Sequence, residues 1–272
     1  MPSVDFARVL VLLEGRATEL VPEYAVEFAL RRGLQLVGLF VEDSDLLSSA
    51  GLPFTREVGA ESGALRPLSR ATVEQAMRED AEGLRAALER LAHERGFEAV
   101  FEVGRGPRKR TVLRRIRSGD LLVLCRGVGH RRPADMLDTL LREAPCMVMV
   151  FGAGEASRSS RPVVLVDGST SGGRVLERAL EAMGGRGGSL GLLVAPGGAA
   201  RRAAEHAVRL AGERGVHCRP IHLPGLQTHQ VLRALPTDPA PLLFIGRDSP
   251  LLAGQALGPG TDLSGVPLVV VP

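Results

Sequence analysis

The chain has 272 residues, 44% of them hydrophobic and 24% charged, which is globular composition with material for one large or two ordinary domains. Aromatic residues make up 3%, with no Trp, so any core must be built from Leu, Val and Ala. The net charge is +3 and Lys109 is the only lysine, so the basic side is almost all Arg. The basic stretches lack the interleaved aromatics that bind single strands, which argues against nucleic acid.

The longest apolar runs, Cys146–Phe151 and Val266–Val271, are far too short to span a bilayer. With no secretory pattern at the start, the expectation is a cytoplasmic protein without integral membrane association. Cys125, Cys146 and Cys218 are odd in number, widely spaced and without a CxxC, which predicts small buried hydrophobes and no metal.

Arg8–Leu13 reads as a strand buried on both faces. A helix capped by Thr18 is predicted to about Arg32, then a strand over Gln35–Val41. The segment from Glu42 to Arg70 follows, with scattered Gly, Pro and Ser. Residues 43–70 form a long insert, read as a flap on its own sheet or as interdomain packing in preference to a partner-binding or membrane-surface element. Thr72 is predicted to cap a helix ending at Gly96, with Val73, Met77, Leu84, Leu88 and Leu91 on one face. Ala99–Val103 is a third strand, Pro107 opens a short helix, Leu121–Cys125 is a fourth strand, Ala134–Glu143 a helix, and Cys146–Phe151 a fifth strand.

After a Gly/Ser/Arg stretch the order begins again. Val163–Val166, Leu190–Val194, Cys218–Leu223, Leu242–Ile245 and Pro267–Val271 read as strands. The intervening helices cover Gly172–Met183, Ala199–Arg214 and Leu226–Leu235. A final helix between Ile245 and Pro267 is weak, interrupted by Gly254, Gly258, Pro259 and Gly260. Strands alternating with helices pair in parallel. The fold class is therefore α/β: two tandem doubly wound domains, 1–152 and 161–272, joined by a linker over 153–160.

Val163-Val164-Leu165-Val166-Asp167-Gly168-Ser169 is similar to the opening strand and turn of the universal stress protein family. Gly106-Pro107 with Val112-Leu113, Asp120–Leu124 and Ala144–Val150 resemble its third strand and helix, fourth strand and closing strand. The chain thus resembles a tandem universal stress protein. The resemblance implies a five-stranded parallel sheet in each half, in the order 3-2-1-4-5. It also implies a role as a stress-linked regulatory or binding protein, not an enzyme. Closing strands that tend to pair imply an internal pseudo-dimer of the two halves, with a homodimer as a further partner interface.

ATP is the cofactor the resemblance implies, held at the carboxyl edge of the sheet by an acid after the first strand and by a glycine loop after the fourth. Backbone N–H groups and a helix N-terminus suit phosphate. In the second half the nucleotide-binding candidates are Val166, Asp167, Gly168, Ser169, Gly246, Ser249 and Gly254. The loop is shortened there, and Gly260-Thr261 stands in poor register. In the first half Glu14 replaces the Asp, and the position expected to bind phosphate falls on Ala134-Asp135, where a carboxylate repels it. Adenine-nucleotide binding is therefore expected in degenerate form, confined to 161–272.

Gly168–Gly172 is a near miss for a nucleophile elbow, but the acid and His do not follow in the required order. His217, His222 and His229 lack a completing ligand. Arg105, Arg108 and Arg126 fall after the third and fourth strands and form a candidate site for a small anion. The alternatives are a nucleotide-handling hydrolase using the same sheet edge and a pure protein-interaction scaffold. For a hydrolase only Asp135 and Asp248 are near the expected phosphates, and neither belongs to a catalytic arrangement.

Overall fold

The structure is a computed structural model. It describes residues 6–14, 21, 23–50, 52, 55–58, 65–125, 134–151, 161–183, 188–236, 241–253 and 266–272. The first half supplies β1 (Arg8–Leu13), α1 (Glu23–Arg32), β2 (Gln35–Asp43), α2 (Ser44–Ala50), β3 (Arg56–Val58), β4 (Leu65–Pro67), α3 (Arg70–Arg95), β5 (Ala99–Gly106), α4 (Arg108–Arg115), β6 (Asp120–Cys125), α5 (Ala134–Glu143) and β7 (Met147–Phe151). The second supplies β8 (Arg161–Val166), α6 (Gly172–Ala182), β9 (Ser189–Val194), α7 (Gly198–Glu213), β10 (His217–His222), α8 (Thr228–Ala234), β11 (Pro241–Gly246), α9 (Pro250–Ala253) and β12 (Leu268–Val271).

Within each half the five long strands follow the order 3-2-1-4-5, all in parallel. The halves do not form two separate sheets, as the sequence predicted. They share one ten-stranded sheet, β10-β9-β8-β11-β12-β7-β6-β1-β2-β5. The junction is the antiparallel pair of closing strands, with Leu268 opposite Val150, Val269 opposite Met149 and Val270 opposite Val148. The physical reason is that both strands are apolar on both faces, so each covers the edge the other would expose. Because the junction is antiparallel, the carboxyl ends of the first-half strands lie at one margin of the sheet and those of the second half at the opposite margin.

Strand side chains alternate between two helical layers. Val9, Val11 and Leu13 face α1 and α3, and Val164 and Val166 pack in the same core with α6 and α7. Leu10 and Leu12 face the other way, into the core that α4, α5, α8 and α9 share with Leu165, Leu243 and Ile245. Each core draws residues from both halves. Asp120, buried at the start of β6, is held by a fork from Arg8 (Nε and Nη2, both 3.1 Å) and by the Arg117 amide at 2.8 Å, so the buried carboxylate is satisfied.

The cap of α3 differs from expectation: Ser69 is the N-cap, and its Oγ accepts the Thr72 amide at 3.1 Å. Gly96 ends the helix with φ 68°, as its position predicted. The 43–70 insert contains α2 and the antiparallel β3–β4 pair, and α2 packs on α3 through Leu47, Ala50, Val73 and Met77. The 153–160 linker lies outside the described residues. Among the described residues no helix is long and apolar enough to cross a membrane.

Candidate functional site

In open α/β sheets ligands gather at the carboxyl ends of strands where the order reverses, here beside β8 and β11 in one half and beside β1 and β6 in the other. In the second half, Val166 ends β8 and Asp167 begins the turn. Asp167 Oδ1 accepts the Ser169 amide at 2.9 Å, while its Oδ2 is buried with no hydrogen-bond partner among the described residues. Gly168 has φ 80°, and a Cβ there would stand 3.1 Å from Ala199 Cβ and 3.2 Å from the Ala200 nitrogen, so both conformation and space call for glycine.

Across the crevice, Gly246 ends β11 and the chain turns through Asp248 and Ser249. The Asp248 carboxylate reaches back to the N-terminus of α6. Its Oδ2 accepts from the Thr170 hydroxyl and from the Ser171 amide at 3.2 Å, and its Oδ1 accepts from the Ser171 hydroxyl. Burial would raise its pKa, but the bonds from Ser171 and Thr170 prevail and hold it down to about 2. Ser249 is buried, and its Oγ accepts the Leu251 amide at 3.3 Å within the same turn. A Cβ at Gly246 would collide with Ser171 Oγ, so the two turns touch directly. Gly254 lies outside the described residues.

In the first half a cation sits beside the ends of β1 and β2. Arg108, the first residue of α4, donates from Nη1 to Glu14 Oε1 at 3.1 Å, and its Nε lies 3.6 Å from Asp43 Oδ2. That Nε is buried without a hydrogen bond among the described residues. Arg105 pairs with Glu42, Nε to Oε2, at 2.6 Å. Arg115 donates to Glu102 Oε2 at 2.6 Å. Arg105 and Arg108 thus share one margin of the sheet, each already carrying a carboxylate, and Arg126 lies outside the described residues. His217 and His222 are both on β10, His229 is on α8, and no three His, Cys, Asp or Glu side chains gather to hold a metal among the described residues.

The sequence reading named the turns but missed their contact. It placed Asp248 outside any catalytic arrangement and did not foresee Thr170 and Ser171 as its donors. The available signal was an acid two residues beyond the strand-ending Gly246, opposite a Ser/Thr-rich turn.

A universal stress protein from Archaeoglobus fulgidus DSM 4304 superposes with a TM-score of 0.67 over 99% of this chain and 98% of its own, at 15% identity. The chain has a universal-stress-protein-like fold. A functionally unknown protein from Pseudomonas aeruginosa PAO1 is similar at TM-score 0.52 (14% identity, 98% of this chain and 93% of that one). So is a candidate universal stress protein from Pseudomonas aeruginosa UCBPP-PA14, at 0.51 (15% identity, 98% and 94%). No family model matches the chain, and neither does any curated protein.

Proposed function

We infer that this chain is a cytoplasmic, non-catalytic binding protein of the stress-linked regulatory kind, whose two nucleotide positions are filled by its own charges. The observation that carries this reading is the Asp248 carboxylate, which takes the hydroxyls of Thr170 and Ser171 and the Ser171 amide at the N-terminus of α6. A helix N-terminus with free donors attracts phosphate; one already holding a carboxylate repels it. The Glu14–Arg108–Asp43 cluster does the equivalent in the first half, placing a guanidinium where an adenosine would dock. Asp167 Oδ2 has no hydrogen-bond partner among the described residues, so what survives of nucleotide recognition is a weak adenosine contact in the second half. Catalysis would need a base beside the phosphates, and Asp248 is committed as an acceptor.

Mass spectrometry of small molecules carried through native purification tests this. The expected result is no stoichiometric ATP, and no phosphate release on incubation with magnesium-ATP. One equivalent of retained ATP would overturn the reading.

A further inference from the structure

A cleft of about 490 Å³ lies between the ends of β2 and β5, the start of α2 and the first two turns of α3. That volume falls within the range of small-molecule sites. Its walls are residues of the first half, from α2, the start of α3 and the ends of β2 and β5, whereas in the second half β9 is followed by α7 without an intervening helix.

Arg70, Glu74, Met77 and Arg78 recur at i, i+4, i+7 and i+8, so one stripe of α3 faces the cleft. Met77 is 8% exposed and packs in a small core with Leu47, which gives the cleft an apolar floor. Its rim holds three guanidiniums, Arg70, Arg78 and Arg105, against two carboxylates, Glu42 and Glu74. Arg70 pairs with Glu74 at 2.8 Å and Arg105 with Glu42 at 2.6 Å. Arg78 makes no close ion pair among the described residues, although, after the hydrogen bond from Arg70, its charge helps lower the pKa of Glu74. Its Nε donates to the Glu74 backbone carbonyl at 3.2 Å, and its terminal N–H donors have no hydrogen bond among the described residues. The Arg105 side chain is 82% exposed, and a pair so exposed is held weakly, so its guanidinium can be shared with a ligand.

We propose that this cleft is a ligand site for a small organic oxyanion, with a phosphate or carboxylate head received by Arg78 and Arg105 and a short apolar body lying on Met77 and Leu47. Guanidinium forks suit both heads. Glu14, Arg108, Asp167 and Asp248 do not line the cleft, so the proposal stands apart from the reading of the nucleotide positions.

Phenyl phosphate titrated into the full chain by calorimetry tests it, with inorganic phosphate and neutral benzyl alcohol as comparisons. Saturable binding with a Kd of about 1 mM is expected. Inorganic phosphate should bind several-fold more weakly, and benzyl alcohol should not bind. Arg78→Ala, at an exposed position, should weaken phenyl phosphate at least tenfold while keeping the unliganded melting temperature. Arg78→Lys should recover part of the loss, and Asp248→Ala should leave binding unchanged. Absence of saturable binding, equal binding by wild type and Arg78→Ala, or benzyl alcohol binding as well as phenyl phosphate would each overturn the proposal.

Discussion

Asp248 shows how one carboxylate ties the turn after β11 to the start of α6, the contact on which the proposed closing of a ligand position rests. Its pKa is held at about 2, below the ordinary 3.8, by donors that exist only in the folded chain. A depressed folded pKa means that the group stabilises the fold above its unfolded value, and that this contribution fades as pH falls from about 4 toward about 2. Asp248→Asn should therefore lower the urea midpoint at pH 6, and the gap from wild type should close by about pH 2. A gap that stays constant across that range would mean that the contacts with Thr170 and Ser171 carry no charge-dependent stability. The identities around Asp248 were plain in the sequence, because a Gly-Ser turn after an apolar strand marks a strand-to-helix turn. The contact was not, because Ser171 and Asp248 are brought together only by the pairing of β8 with β11.

At the scale of elements, β10 is the outer strand of the second half, exposed along most of its length. His217 and Leu223 donate inward, to Gly188 and Val194, so the even-numbered residues between them turn their nitrogens outward. Pro220 stands in the middle of that outward row and has no N–H to offer, which blunts the edge against adding a further strand. Pro220→Thr restores the donor and should increase self-association at high concentration by light scattering, with the fold retained; unchanged scattering would show that the polar side chains of β10 suffice. Periodicity made the long strands and helices legible, down to the stop of α3 at Gly96. It did not resolve the insert, where β3 and β4 have three residues each and carry too short a pattern to read. It also misplaced the cap of α3, because Ser69 and Thr72 are both good cap residues and sequence alone does not say which one accepts.

At the scale of the whole molecule, the repeat was legible because apolar runs alternate with amphipathic helices twice over, and the strand order of each half was what the family resemblance implied. The tendency of the two closing strands to pair was legible in their apolar edges, but not that an antiparallel pairing would merge two sheets into one, since parallel and antiparallel edges look alike in composition. Continuity has a thermodynamic consequence. Both apolar layers contain residues of both halves, so neither half unfolds without stripping the other's closing strand. Differential scanning calorimetry should record one cooperative transition, and two resolved transitions would mean that the β7–β12 junction couples the halves weakly.

The claim that the chain's own charges fill its nucleotide positions is tested most directly by calorimetric titration of magnesium-ATP into the full chain and into Asp248→Ala. The wild type should bind with a Kd no tighter than about 1 mM. Asp248→Ala frees the Thr170 and Ser171 donors and should tighten binding at least tenfold. Micromolar binding by the wild type, undiminished or weakened by Asp248→Ala, would contradict it.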